Sequence, residues 1–143
     1  MKIAFLGSGE FGLPTLQKLA IAHEVVCVVT SIDKAAGRNR KQTATPIAQW
    51  ASEQQLHVIK TDDVNCDDIR EEISALEVDA MVVIAFGQKL SDALIQSQRT
   101  MNLHASLLPR WRGAAPINAA VVHGDQRSGV SVITLAQEMD AGL

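Results

Sequence analysis

Short apolar runs alternate along the chain with stretches in which apolar residues recur every three or four positions, and turn residues separate the two kinds. Lys2 to Leu6, closed by Gly7, predicts a buried first strand, and the stripe Leu13, Leu16 and Leu19 predicts an amphipathic helix running to about Ala22. Val25 to Thr30 is β-branched almost throughout and predicts a second buried strand. The polar segment from Ser31 to Ala44 shows neither period. It is long for a connection in a compact domain, where such segments tend to be functional or disordered. Thr45 is placed to cap the next helix, with Pro46 in its first turn, and that helix runs through Trp50 to about Gln54. His57 to Ile59 predicts a short third strand, and Asp67 to Leu76 a helix with acidic residues at the end its dipole favours. Asp79 to Ala85 is the most apolar run of all and belongs near the middle of a sheet. The loop Phe86 to Leu90 leads to a short helix capped by Ser91, then to a strand holding Asn102 and His104. A helix from Pro116 to about His123, stopped by Gly124, and a last strand from Val130 to Leu135 complete the pattern.

Strands that alternate with helices predict an α/β fold with a doubly wound, mostly parallel sheet. Ligands of such sheets sit outside the carboxyl ends of the strands, near the point where strand order reverses. Gly7, Asp33, Phe86 and His104 all fall at such ends, so they are expected to converge on one cleft.

Composition narrows the class. The 143 residues, 47% of them hydrophobic and spread in short runs, make one domain with enough apolar surface for a core. No apolar stretch approaches the roughly 20 residues that cross a bilayer, and the first residues lack a basic start followed by a long apolar run, so a cytoplasmic protein without membrane contact is expected. Cys27 lies in an apolar run and Cys66 in a polar one, without metal-ligand spacing, so both read as ordinary thiols and no metal site is expected. A net charge of −3 argues against a chain that coats nucleic acid indiscriminately. Local charge says more: Lys34, Arg38, Arg40 and Lys41 cluster, and no acidic residue occurs between Asp33 and Glu53.

Candidate chemistry centres on Met101 to Ile117. Side chains alternate across a strand, so Asn102 and His104 share one face while Leu103 packs on the other. Pro109 stops the strand, Gly113 permits a tight turn and Pro116 opens the next helix, leaving two polar groups at a strand mouth beneath a rigid loop. Earlier in the chain, Gly7-Ser8-Gly9-Glu10-Phe11-Gly12 is a literal G-x-G-x-x-G after a strand, with Asp33 about 20 positions on, as in dinucleotide-binding units. The same glycines also suit any α/β fold that needs small residues where its first strand turns into a helix.

The run Asn102-Leu103-His104-Ala105-Ser106-Leu107-Leu108-Pro109 resembles the signature of the 10-formyltetrahydrofolate-dependent formyltransferases. Its continuation, Arg110-Trp111-Arg112-Gly113-Ala114-Ala115-Pro116-Ile117, is similar to the branch that acts on methionyl-tRNA. The resemblance covers the chain from end to end and implies a Rossmann-like formyltransferase fold. It implies formyl transfer from 10-formyltetrahydrofolate to the amino group of initiator methionyl-tRNA, with Asn102, His104 and Asp140 as catalytic residues. Asp140, in Met139-Asp140-Ala141-Gly142, would otherwise read as a turn residue. The attack passes through a tetrahedral oxyanion, for which the Asn102 amide is a donor; His104 moves protons, and a carboxylate beside it orients the ring. The resemblance also implies that Ser106, Leu107, Leu108, Pro109, Phe86 and Gly87 line the folate pocket.

The basic segment is similar to an insertion by which the family contacts the acceptor arm of tRNA. Ala36-Gly37-Arg38 matches it, Arg40 and Lys41 keep its paired positive charge, and Thr45-Pro46-Ile47 closes it. Arg38, Arg40 and Lys41 are therefore the expected tRNA contacts. Asn39 stands where the family commonly has Gly and Ala35 where it has Pro, while Ser8-Gly9-Glu10 replaces a common Thr-Pro-Asp and creates the dinucleotide-like pattern. Family members continue with further strands and a separate C-terminal tRNA-binding domain, so this chain is expected to be a monomeric, truncated catalytic domain, weakly active or inactive alone. Three alternatives stay open: a sibling formyltransferase acting on a purine precursor or an amino sugar nucleotide, an NAD(P)-dependent oxidoreductase built on Gly7, Gly9, Gly12 and Asp33, and a non-catalytic folate- or tRNA-binding module.

Overall fold

The computed structural model describes residues 1–36, 41–135, 140 and 142. Among the described residues, eight strands and five α-helices follow one another as β1 (Lys2–Gly7), α1 (Leu13–Ala22), β2 (Glu24–Thr30), β3 (Lys34–Ala36), β4 (Lys41–Thr43), α2 (Pro46–Glu53), β5 (Val58–Lys60), α3 (Asp67–Ala75), β6 (Ala80–Ile84), α4 (Asp92–Ser97), β7 (Arg99–His104), α5 (Pro116–Val122) and β8 (Ser131–Thr134). Six strands form one sheet in the order β5-β2-β1-β6-β7-β8. All neighbours run parallel except β8, which pairs antiparallel to β7 with Asn102 opposite Ile133 and His104 opposite Ser131.

The sheet is covered on both faces, which is why its central strands lack the alternation of a half-wet sheet. Ile3 and Phe5 of β1 face one way, into a core with Leu16 of α1 and Ile47 and Ala51 of α2. Ala4 and Leu6 face the other way, toward Ile73 of α3 and Leu94 of α4. Strand β6, the run expected near the middle, lies between β1 and β7 and is buried at every position. Strand order reverses between β1 and β6, so the cleft outside their carboxyl ends is where a ligand belongs.

The glycine pattern after β1 has a packing cause. A Cβ on Gly7 would lie 2.7 Å from the Ile84 carbonyl oxygen, and one on Gly12 would lie 3.1 Å from the Phe5 ring. These glycines let β1, β6 and the start of α1 approach one another. A short 3-10 turn, Glu10–Gly12, precedes α1.

The segment expected to be without regular structure differs from that expectation. Its ends pair as a two-stranded antiparallel ribbon, Lys34 opposite Thr43 and Ala36 opposite Lys41, apart from the main sheet. No helix among the described residues is long and apolar enough to cross a membrane.

Candidate active site

Strand β7 delivers the central residues. Its odd positions, Met101 and Leu103, pack against the core beneath α1 and α2, and Leu103 also borders the cavity beyond the strand end. Its even positions, Asn102 and His104, reach the cavity beyond the strand end. This is the alternation expected from the sequence.

Asp140 meets both of them. The Asn102 Nδ2–H donates to Asp140 Oδ1 at 3.4 Å, and the Gly113 N–H donates to Asp140 Oδ2 at 2.8 Å. Gly113 holds φ +98, a conformation that favours glycine, and this turns its N–H toward the carboxylate. His104 Nδ1 faces Asp140 Oδ1 at 3.6 Å, an ion-pair separation longer than a hydrogen bond, with both side chains almost fully buried. At the other edge of the ring, His104 Nε2–H donates to the Trp111 carbonyl at 2.9 Å. A carbonyl only accepts, so the geometry assigns a proton to Nε2.

These groups border a cavity of about 740 Å³, within the range of roughly 300–1,000 Å³ typical of small-molecule sites. Its wall includes Phe86, Gly87, Leu90, Ile95 and Leu135 on one side and Gly113 to Asn118 on the other. Ala85 and Gly87, both at positive φ, swing the chain sharply out of β6 and turn Phe86 inward to 3% exposure. Gln88 anchors the same loop: its Oε1 accepts from the Val64 N–H at 2.8 Å and its Nε2–H donates to the Thr61 carbonyl at 2.9 Å. The apolar walls with a polar corner suit a planar heterocycle carrying a reactive group.

The other expected site residues lie elsewhere. Ser106, Leu107, Leu108 and Pro109 are not among the residues that line this cavity. Ser106 is fully buried and its Oγ–H donates to the Arg110 carbonyl at 2.6 Å, while Leu107 is about half exposed and lies against Gly129. Ser131 ties this loop to β8, donating from Oγ to the Ser106 carbonyl and accepting from the Leu108 N–H. Lys41 is exposed on β4, and Arg38 and Arg40 lie outside the described residues. Gly7 and Asp33 do not reach the cavity, contrary to the expectation of one shared cleft. Asp33 instead pairs with Lys60 at 2.7 Å, since β2 and β5 are neighbours. Leu90, Ile95 and the small residues Ala114 and Ala115 line the cavity without having been singled out from the sequence. The composition of Gly113-Ala114-Ala115 was the available signal, because a wall of small side chains leaves room for a ligand.

Residues 1–143 match the protein family described as formyl transferase. The chain belongs to the formyl transferase family. It is 40% identical to a methionyl-tRNA formyltransferase of Fusobacterium nucleatum, covering 99% of this chain and 46% of that protein. It is 43% identical to one of Methylococcus capsulatus, covering 99% and 47% respectively. The chain thus spans about half the length of these curated relatives. Among solved structures, phosphoribosylglycinamide formyltransferase from Bacillus halodurans superposes with a TM-score of 0.80 at 17% identity, covering 99% of this chain and 75% of that one. Membership of this family removes the oxidoreductase alternative. The glycines that suggested it serve packing, and its acidic partner Asp33 is engaged by Lys60.

Proposed function

We propose that this chain carries the formyl-transferring site of a methionyl-tRNA formyltransferase, moving a formyl group from 10-formyltetrahydrofolate to the amino group of initiator methionyl-tRNA. The observation that carries the proposal is the meeting of Asn102, His104 and Asp140 at the polar corner of an otherwise apolar cavity. The folate supplies an activated formyl carbon attached to nitrogen. The apolar wall formed by Phe86, Leu90 and Ile95 matches its ring, and the 740 Å³ volume accommodates it.

The remaining steps fall to the protein. As the amine attacks the formyl carbon, the Asn102 amide N–H is the fixed donor for the oxyanion that develops. Asp140 and His104 take the proton that the amine loses and return one to the folate nitrogen when its bond to the formyl carbon breaks. Burial of both side chains limits competition from water. Lys34 and Lys41, at the two ends of the exposed ribbon, support an acceptor with a long run of phosphates over a small one carrying one or two.

Labelled formyl transfer with the full-length protein separates the acceptors. Label should pass to methionyl initiator tRNA, and Lys41→Ala should weaken that transfer more at low salt than at high, because one phosphate contact fewer flattens the salt dependence. Label passing instead to a purine precursor or an amino sugar nucleotide would replace the tRNA reading with a sibling one.

A further inference from the structure

Behind the polar corner lies a cluster that formyl transfer does not itself use: Arg110, Trp111, His123 and Asp125. Trp111 is a bulky residue held at φ +60, the left-handed region that such side chains rarely occupy. Its carbonyl is the acceptor of His104 Nε2–H at 2.9 Å. Its indole Nε1–H donates to Asp125 Oδ2 at 2.6 Å, and Arg110 Nη2 forms an ion pair with Asp125 Oδ1 at 2.8 Å. Arg110 also lies 4.8 Å over the Trp111 ring, and the His123 ring sits 4.3 Å from it. Asp125 is itself fixed at the end of α5, where its N–H donates to the Ala120 carbonyl at 3.0 Å. The Asp125 side chain is only 9% exposed although Arg110 is largely in solvent.

We infer that Asp125 is a positioning residue for formyl transfer, acting on His104 through the Trp111 carbonyl; this rests on the reading of His104 as the proton-transferring group. By gripping the indole N–H and Arg110, Asp125 holds the Trp111 peptide in its left-handed turn. That turn aims the carbonyl at Nε2, assigns the ring proton and leaves Nδ1 facing Asp140. Without the grip, Trp111 relaxes toward an ordinary backbone conformation, the carbonyl turns away and the imidazole loses one of its two anchors. A loosely held acid–base group is a poor catalyst even when every reacting atom is present.

Asp125→Ala, Trp111→Phe and the double variant test this in the full-length protein, with His104→Ala alongside. Each single variant should lower kcat about tenfold to a hundredfold, with KM for 10-formyltetrahydrofolate within about twofold of the parent. The double variant should be no worse than either single one, because both cut the same link. Long-range proton–nitrogen spectra should show a protonated His104 Nε2 in the parent and exchange between the two ring nitrogens in the variants. Unchanged kcat with an unchanged ring signal in Trp111→Phe, or additive losses in the double variant, would overturn the inference. If His104→Ala is inactive while the other variants match the parent, the positioning role fails and the catalytic reading survives. If His104→Ala keeps the parent rate, the catalytic reading fails and the inference with it. Trp111→Phe keeps an aromatic ring against Arg110 and His123, so the test stands if Asp125→Ala does not fold.

Discussion

Cys27 keeps its proton in the folded chain far beyond the range of an ordinary thiol. It has no exposed surface, and burial first, then the Glu72 charge, pushes its pKa up from 9.0 to about 12. Below pH 9 both folded and unfolded chains hold this proton and it has no effect on stability. Between about 9 and 12 the unfolded thiol ionises and the folded one does not, so stability falls as pH rises, at up to roughly 1.4 kcal/mol per unit. Urea unfolding at pH 8 and pH 10 should therefore show the parent losing about 1 kcal/mol more than Cys27→Ala; parallel losses would contradict the burial argument. The burial of Cys27 was legible from its apolar neighbours, and the shared face of Asn102 and His104 from strand alternation. Asp140 was not legible from its own surroundings, because an Asp before a glycine serves turns more often than sites. Only the family resemblance raised it. The grip of Asp125 on Trp111 left no trace at all, since the two residues are 14 positions apart and no periodicity joins them.

Among the elements, α2 shows how a cap does more than start a helix. Thr45 Oγ1 accepts from the Ala48 N–H at 3.0 Å and also bonds the Thr30 hydroxyl at 2.7 Å, deep at the end of β2. Thr30 is fully buried, so removing its partner orphans a helix N–H and leaves the Thr30 hydroxyl only the longer bond it donates to Ser8 Oγ at 3.4 Å. Thr45→Ala should cost about 1–3 kcal/mol in chemical denaturation, and Thr45→Ser well under half of that; equal costs would show that the hydroxyl is not the source. The cap and the Pro46 that follows it were legible because their chemistry is local. The ribbon formed by β3 and β4 was not: each strand has three residues, β4 is exposed throughout, and nothing buried imposes an alternating pattern. The folate contact that the resemblance implies for the loop from Ser106 to Pro109 is not written in its local contacts: Ser106 braces the backbone, Leu107 covers Gly129, and neither is among the residues that line the cavity.

For the whole molecule, alternating strands and helices made the doubly wound sheet legible, and the most apolar run marked β6 as central. The antiparallel pairing of β8 was invisible in the sequence, because direction depends on how the chain returns and not on which side chains face the core. The cavity follows from that topology: the ends of β6 and β7 open together where α5 and the loop after β6 stand apart. The central claim is that Asn102, His104 and Asp140 do chemistry there while the apolar wall does the binding. The measurement that tests it most directly is kcat for formyl transfer set beside the dissociation constant of the folate donor, in the parent, His104→Ala and Asp140→Asn. Each variant should lose at least about a hundredfold in kcat while folate affinity stays within about threefold. Folate affinity falling in step with the rate, or turnover within about fivefold of the parent, would contradict it.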